Sequence, residues 1–493
     1  MKSSKVTHFS WILLWFALLF LAMVTRFYDL ANKPIHFDES INGWFVMQMQ
    51  SVGYYKYDPN NYHGPLYFYI LQFFEFLWGR SLEVLRAVPA VFSVLSVMVF
   101  SFGVLSSKPA QRWMMFFILV SPAFLFFGRS GIHEMPFVFF QILFALGFLR
   151  WFENADDKAL GLMLVGVWGM STLKETFVIT LFGFALAFLS LGPQQWRALL
   201  SRNKLKQAWT PRLTVLSAVL TLLFVQLFTG FFKNPSGLVD FVKAFLPWAK
   251  TGVEGKGHEK VFTYWLQVFW EAEPLVLLGV LAAFWGLFSK TKALRAMSVF
   301  SLSQLFIYSV IPYKTVWCVL SLVWGFYFVL AFALAEVKRL RWFVLLLSIV
   351  GIRSAYTSVY QHPIWMDHPY VYVNSTPDLT TLYKVLMEQA KAHPEVLQGP
   401  VQIGMKEQWP WPWLLRSFKN FDYNLCSKHL NENALVYFCD LSAAYEVDHA
   451  VNEPYWKLTV ILRQSREASL IYLKKSAFPE VPFKEAETVG EEE

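Results

Sequence analysis

The chain has 493 residues, and its 43 Lys and Arg against 35 Asp and Glu give a formal charge of +8, yet only 16% of residues are charged while 56% are hydrophobic and 49 are Phe. Soluble domains carry about a quarter charged residues, so this balance excludes an ordinary soluble enzyme, and three cysteines in such a length exclude a disulfide scaffold. What remains is an all-α polytopic membrane protein, in which basic residues belong to cytoplasmic loops and no nucleic-acid partner is needed to account for them.

The first apolar run, 9–25, is preceded by Lys2 and Lys5 and runs into Thr25-Arg26-Phe27 without a small-residue cleavage site. It reads as an uncleaved signal anchor with the N-terminus in the cytoplasm. Further runs near the length that crosses ~30 Å of hydrocarbon lie at 84–106, 111–127, 135–151, 158–172, 176–192, 213–231, 274–289, 297–312, 316–335 and 343–357, about eleven spans in all. One stretch, Leu66–Trp78, is shorter, carries Gln72 and Glu75, and is bounded by His63-Gly64-Pro65 and Gly79-Arg80. It is read as an interfacial helix on the outer leaflet, because counting it as a span inverts everything downstream. With it excluded, Lys108, Arg112, Arg150, Lys158, the basic residues at 197–212 and 290–295, and Lys338, Arg339 and Arg341 fall on the cytoplasmic side, as the positive-inside rule requires.

The membrane domain is therefore expected over 1–361, with external loops at 26–83 and 232–273 and outward turns at 128–134, 173–175 and 313–315. An odd number of spans places the rest outside. Residues 362–484 change texture, with β-rich runs at 401–403, 434–438 and 457–462 alternating with helical patterns such as 378–392, and predict a small external (periplasmic) α/β domain. An acidic tail, 485–493, follows. The expected location is the cytoplasmic (inner) membrane.

Charges near the hydrocarbon boundary cost free energy and persist where they have a partner or a task. On this topology they gather on the outer face: Asp38 and Glu39, His63, Arg86, Arg129, His133 and Glu134, Lys174 and Glu175, and Tyr313 with Lys314. Each has a plain alternative. Asp38-Glu39 precedes an amphipathic stretch at 41–49 and fits an N-terminal helix cap; since adjacent carboxylates point apart, one can cap while the other acts on a substrate. Arg129 fits an interfacial anchor, Glu134 a helix-start carboxylate, Lys174-Glu175 a self-neutralising pair, and Lys314 a snorkelling lysine.

Five outward turns with acids or bases are harder to explain singly. Separated carboxylates, several cations and an aromatic membrane groove suit a lipid-linked anionic donor: cations hold a phosphate, a carboxylate deprotonates an acceptor hydroxyl, and the groove takes the lipid tail. No G-x-G-x-x-G or G-x-x-x-x-G-K-[ST] occurs in strand-to-helix context, which favours a lipid-phosphate sugar over a nucleotide sugar. The rival reading is a lipid-linked glycan flippase or transporter, or an accessory subunit of a glycan assembly complex. A transporter would place charges or broken helices near the midplane and often show an internal repeat, whereas here the charges collect on one face and no repeat is evident.

The order HFDES at 36–40, YHGPLYFYILQ at 62–72, RAVPAVF at 86–92, GRSGIHEMPFVFF at 128–140, STLKETFVI at 171–179 and VIPYKTVW at 310–317 resembles the GT-C fold glycosyltransferases of the protein O-mannosyltransferase and aminoarabinose transferase kind. Within them it is most similar to the bacterial and archaeal subfamily of flippase-activity-associated proteins of glycosylation clusters. The resemblance covers about 10–335, with DPNNYHGP, LKE and PYKT its specific elements, and DHPYVYVNSTPDL and WPWPWLLRSF extend it beyond. It implies a membrane glycosyltransferase moving a sugar from a polyprenyl-phosphate donor to a hydroxyl of a glycan, lipid or protein acceptor. It also implies Asp38 as general base with Glu39 beside it, Glu134 as the second-loop acid preceded by His133, and Lys314 facing the donor phosphate. Where aminoarabinose transferases carry a basic residue after the first-loop acids, this chain has Ser40-Ile41, so donor binding relies on other cations.

Cys426 and Cys439 lie thirteen residues apart in the outer domain and fit equally a disulfide in an oxidising compartment or two unpaired thiols; Cys318, inside a span, fits packing. Trp409, Trp411 and Trp413, interleaved with Pro410 and Pro412, fit an interfacial belt better than a sugar platform. No C-x-x-C or H-E-x-x-H spacing occurs, and no cofactor is required; a divalent ion such as Mg or Mn has a place only if Asp38, His133 and Glu134 meet.

Overall fold

The computed structural model describes residues 2–102, 107–255, 257–464, 468–483 and 486–490, with side chains from residue 13 onward. It divides into two compact units, one formed by Met1–Leu30 with Phe45–Tyr370 and the other by Ala31–Trp44 with Val371–Glu493.

The first unit is helical. Among the described residues six helices are long and apolar enough to cross a membrane: Leu82–Phe102, Glu134–Glu153, Pro211–Phe228, Lys292–Val310, Val316–Glu336 and Lys338–Gln361. Phe177–Leu189 and Pro193–Leu199 add a seventh if counted as one span; they are bent by 110° at Gly192-Pro193, where a glycine at φ 86° precedes a residue that cannot continue the ladder. Leu13–Phe27, Leu66–Trp78 and Pro274–Gly286 are shorter apolar helices. The expected 111–127 run is two helices, Lys108–Val120 and Pro122–Phe127, because Pro122 breaks the first and Ser121 caps the second by accepting from the Phe124 N–H. Part of the 84–106 run, residues 103–106, lies outside the described residues.

Helix Leu320–Glu336 is buried almost all round, as its unbroken apolar sequence requires. Its Trp324 donates to Gln141 Oε1 at 2.9 Å, and Gln141 Nε2 donates to Thr180 Oγ1 at 2.7 Å, a polar thread joining three helices. Helices Glu134–Glu153 and Asp157–Leu173 approach closely because a Cβ on Gly147 would sit 2.6 Å from the Ala159 carbonyl oxygen, and one on Gly166 2.7 Å from Phe144.

The second unit holds a sheet of strands β1 (Pro400–Gly404), β2 (Asn420–Asp422), β3 (Val436–Asp440), β4 (Tyr455–Val460), β5 (Ser469–Lys474) and β6 (Glu487–Val489), in the order β2-β1-β3-β5-β4-β6. The β2-β1-β3 side is parallel, and β3 to β6 pair antiparallel. Of the expected acidic tail, 486–490 includes β6, while Glu485 and Glu491 to Glu493 lie outside the described residues. Cys426 and Cys439 are paired as a disulfide with Cα atoms 5.7 Å apart, among buried Tyr437, Tyr455 and Tyr472. Trp411 and Trp413 are 0% and 2% exposed, and Trp411 packs on Phe438. They are core residues, which corrects their reading as an interfacial belt: the Pro-interleaved turn points their rings inward.

The segment 31–44, expected with the membrane domain, belongs to this second unit. Ser375 Oγ donates to the Ile35 carbonyl, Trp44 meets Trp409 edge-on at 5.7 Å, and the Arg463 guanidinium lies 4.8 Å over the Phe37 ring. Gly43 leaves no room for a side chain, since a Cβ there would be 2.2 Å from Trp413 Nε1.

Candidate active site

In the first unit the chain brings three sequence-distant turns together. Gly64 makes the join: its N–H donates to the Leu173 carbonyl at 2.9 Å, and a Cβ on it would stand 2.1 Å from the Thr172 oxygen. No other residue fits, so His63-Gly64-Pro65 is pinned to the turn that presents Lys174 and Glu175. His63 Nδ1 then lies 3.2 Å from Glu175 Oε2, and the Glu175 carboxylate edges a narrow cleft lined by Tyr57, Tyr62, Phe228, Phe241 and Phe245.

Lys174 pairs with Glu134 rather than with its neighbour Glu175. Both side chains are buried, and Glu134 sits in the first turn of its helix, where the dipole favours a carboxylate. Burial opposes the Lys174 ammonium, but Cys318, Glu134 and Glu175 outweigh it and hold its pKa well above the ordinary lysine value. His133, 3% exposed, packs its ring at a tilt against Tyr67 at 4.3 Å and His63 at 4.8 Å. Burial, with His63 and Lys174 adding to it, holds His133 well below the usual histidine range, so it is neutral. Its Nε2 is buried without a hydrogen-bond partner among the described residues.

Lys314 occupies a separate turn. Residues Glu259 and Tyr313 form a β-bridge, the Lys314 N–H donates to the His258 carbonyl, and His258 meets Tyr313 edge-on at 5.1 Å. The Lys314 ammonium is 2% exposed as a residue and donates to the carbonyls of Lys260 at 3.1 Å and Ile311 at 2.5 Å. Among the described residues it has no carboxylate within ion-pair distance, and burial pushes its pKa down. Burying an ammonium without a nearby opposite charge is unfavourable, and a counter-charge would relieve it.

Arg86 and Arg129 reach backbone carbonyls at the end of the first helix. Arg129 donates to the carbonyls of Arg26, Tyr28 and Asp29, and its guanidinium lies 5.0 Å over Tyr360; Arg86 donates to the Leu30 carbonyl at 2.7 Å. Together they satisfy the chain as it leaves helix Lys2–Phe27, whose last carbonyls have no intrahelical partners.

In the second unit, Asp38 and Glu39 open helix Phe37–Val52. Glu39 is 0% exposed and accepts from the His36 N–H at 2.9 Å, a capping-box contact. The His36 ring is oriented by two bonds: Nε2 donates to the Tyr372 carbonyl at 3.1 Å, so Nδ1 accepts from the Asp38 N–H at 3.2 Å. Burial holds His36 down to about 4, so at neutral pH the 3.8 Å approach of Nδ1 to the Asp38 carboxylate is not an ion pair. Asp38, its side chain 28% exposed, is the acid of the pair that keeps access to solvent.

Cys318, read from the sequence as packing, has its thiol 3.9 Å from Lys174 Nζ, and Tyr67, against His133, is a neighbour the sequence reading did not single out. A lone cysteine in an apolar span carries no sequence signal, whereas Tyr67 sits within the YHGPLY element. Among the described residues no group of three or more His, Cys, Asp and Glu side chains is arranged to hold a metal ion.

No protein-family model matches the chain, and no curated protein is similar to it. Solved structures are. The crystal structure of ArnT from Cupriavidus metallidurans bound to undecaprenyl phosphate matches with a TM-score of 0.65 at 13% identity, over 94% of this chain and 98% of that one. The apo structure of the same protein matches with a TM-score of 0.65 at 12% identity over the same shares. At this identity the likeness is one of fold: the chain shares the fold of ArnT, with several helices apolar enough to cross a membrane and a small C-terminal sheet.

Proposed function

We propose that the chain is a membrane glycosyltransferase that moves a sugar from a polyprenyl-phosphate donor to an acceptor hydroxyl at the outer face of the cytoplasmic membrane. The observation that carries this reading is Lys314, a buried ammonium whose described partners are carbonyls, in a fold whose solved neighbour binds undecaprenyl phosphate. A donor phosphate would supply the missing negative charge and form charge-assisted hydrogen bonds to the ammonium. Asp38 is the general base that takes the acceptor proton as its oxygen attacks the anomeric carbon and the lipid phosphate leaves. Glu39 holds the helix that carries Asp38. Glu134, Lys174, Glu175, His63 and His133 form a preorganised polar cluster that positions sugar hydroxyls. Eleven spans with a cytoplasmic N-terminus and an external C-terminal unit complete the proposal.

Purified protein in nanodiscs, given a radiolabelled polyprenyl-phosphate sugar and membrane extract as acceptor source, should transfer label, and Lys314→Gln should weaken undecaprenyl-phosphate binding at least about tenfold. Donor binding that is unaffected by Lys314→Gln removes the phosphate assignment. Movement of the lipid-linked sugar across sealed vesicles without any transfer selects the flippase reading instead.

A further inference from the structure

A second polar cluster lies within the first unit, built from side chains given no role above. Helix Leu66–Trp78 is apolar except for Gln72 and Glu75, and Glu75 is buried. A carboxylate in such a helix has to be compensated. The helix ends at Gly79, whose φ of 77° lets the chain reverse, and this turn returns Arg80 to the carboxylate: Arg80 Nε donates to Glu75 Oε2 at 3.0 Å. Gln50, near the end of helix Phe37–Val52, closes the group, donating from Nε2 to Glu75 Oε2 at 3.3 Å and accepting from Arg80 at its Oε1. The three side chains form a hydrogen-bonded ring of zero formal charge.

This ring forms part of the wall of an open cleft of about 610 Å³, with Tyr69, Gln72 and Phe76 among the other lining residues. That volume falls within the range of small-molecule sites. Phe76 is 83% exposed, and Gln50 is exposed too. The ligand chemistry follows from the charges. An anion is disfavoured because Glu75 already neutralises Arg80, and a cation because Arg80 already neutralises Glu75. Carboxylate, amide and guanidinium together offer both acceptors and donors to hydroxyl groups, and an exposed aromatic ring offers its face to the C–H face of a sugar.

We propose that the cleft bounded by Gln50, Gln72, Glu75, Phe76 and Arg80 binds a neutral saccharide, as a subsite distinct from the Lys314 and Glu134 groups. The inference rests on the reading of the chain as a sugar transferase. Its test measures binding alone, so its failure and the failure of that reading are distinguishable.

Saturation-transfer NMR on the protein in nanodiscs, without donor, uses methyl glycosides of glucose, galactose, mannose and N-acetylglucosamine and their β-linked disaccharides as probes. At least one should bind, and Phe76→Ala and Gln50→Ala should each weaken that binding about tenfold, Phe76→Ala with the melting temperature unchanged. Phe76→Tyr, which keeps the ring, should retain it. Displacement of the probe by a galactosyl diacylglycerol placed in the bilayer assigns the sugar to a lipid, and lack of displacement assigns it to a soluble glycan; either result upholds saccharide binding. Absence of binding by every probe, binding indifferent to both variants, or displacement by millimolar inorganic phosphate overturns the proposal.

Discussion

Glu39 and Asp38 stand side by side but differ in what surrounds them, and the difference sets separate expectations. Glu39 is buried against the His36 N–H, so Glu39→Ala should cost about 1 kcal/mol of stability through the lost cap, while Glu39→Gln, which still accepts there, should cost less. Asp38→Asn should leave the melting temperature within a degree or so of wild type and reduce label transfer by about 10²- to 10⁴-fold, as loss of a general base does. Normal transfer by Asp38→Asn would remove the base assignment. His36, held down to about 4 by burial with Glu39 partly opposing and Lys33 and Arg463 reinforcing it, is lowered from the ordinary 6.5. The unfolded chain therefore binds a proton between those values that the folded chain does not, and stability present above pH 6.5 is lost as pH falls toward 4, by up to about 3 kcal/mol. Comparison of melting curves at pH 7 and 5 should show a smaller acid-side drop in His36→Gln than in wild type. In the other unit, Lys174→Met leaves Glu134 buried without its partner and should destabilise by about 3 to 5 kcal/mol, with part recovered in Lys174→Met/Glu134→Gln.

Helix Pro122–Phe127 shows how an element is held by one side chain from elsewhere. Glu273 accepts from Ser121 Oγ, the Ala123 N–H, Tyr327 Oη and Tyr370 Oη, so a carboxylate at the foot of helix Pro274–Gly286 ties three other parts of the unit together. Glu273→Ala orphans four buried donors at about 1 to 3 kcal/mol each and should abolish folded protein in detergent, whereas Glu273→Gln, which retains an acceptor, should fold with a lowered melting temperature. None of this was legible in the sequence, where Glu273 is one of two acids, with Glu271, ahead of an apolar run. What could be read there was local: the unbroken apolar length of 316–335, and the β-rich runs at 401–403, 434–438 and 457–462, which overlap β1, β3 and β4. Strand β5, Ser469–Lys474, was missed because its apolar residues number only four between polar neighbours, and its burial comes from pairing with β3 and β4. The outward acids and bases could be named from their turns, but not their partners. His63 and Glu175 are 112 residues apart and Lys174 and Glu134 are 40 apart, and such pairing is set by helix packing that no local pattern encodes.

At the scale of the whole molecule, the sign of every external and internal assignment depends on how often the chain crosses before residue 107. Helix Leu66–Trp78 decides it. Its 13 residues rise about 20 Å at 1.5 Å per residue, short of the ~30 Å of hydrocarbon, and the Glu75 group together with Gly79 ends it abruptly. It also has two different faces, with Leu66, Tyr67, Phe68 and Leu71 buried while Leu77 and Trp78 are exposed, which suits a helix lying in the interface. The basic residues agree independently, since Arg197, Arg202, Lys204 and Lys206 all follow the 110° bend at Gly192-Pro193. Beyond that bend the short helices Pro193–Leu199 and Arg202–Ala208 carry cations of the kind that the inner leaflet attracts. Reporter fusions at Ser107 and Gln194 should therefore report cytoplasm and one at Val371 the outside. A fusion at Ser107 that reports the outside means that Leu66–Trp78 crosses the bilayer. The turns carrying Glu134, Lys174 and Lys314 would then face the cytoplasm, and a transferase acting on an external acceptor would have to be abandoned even if Asp38→Asn proved inactive.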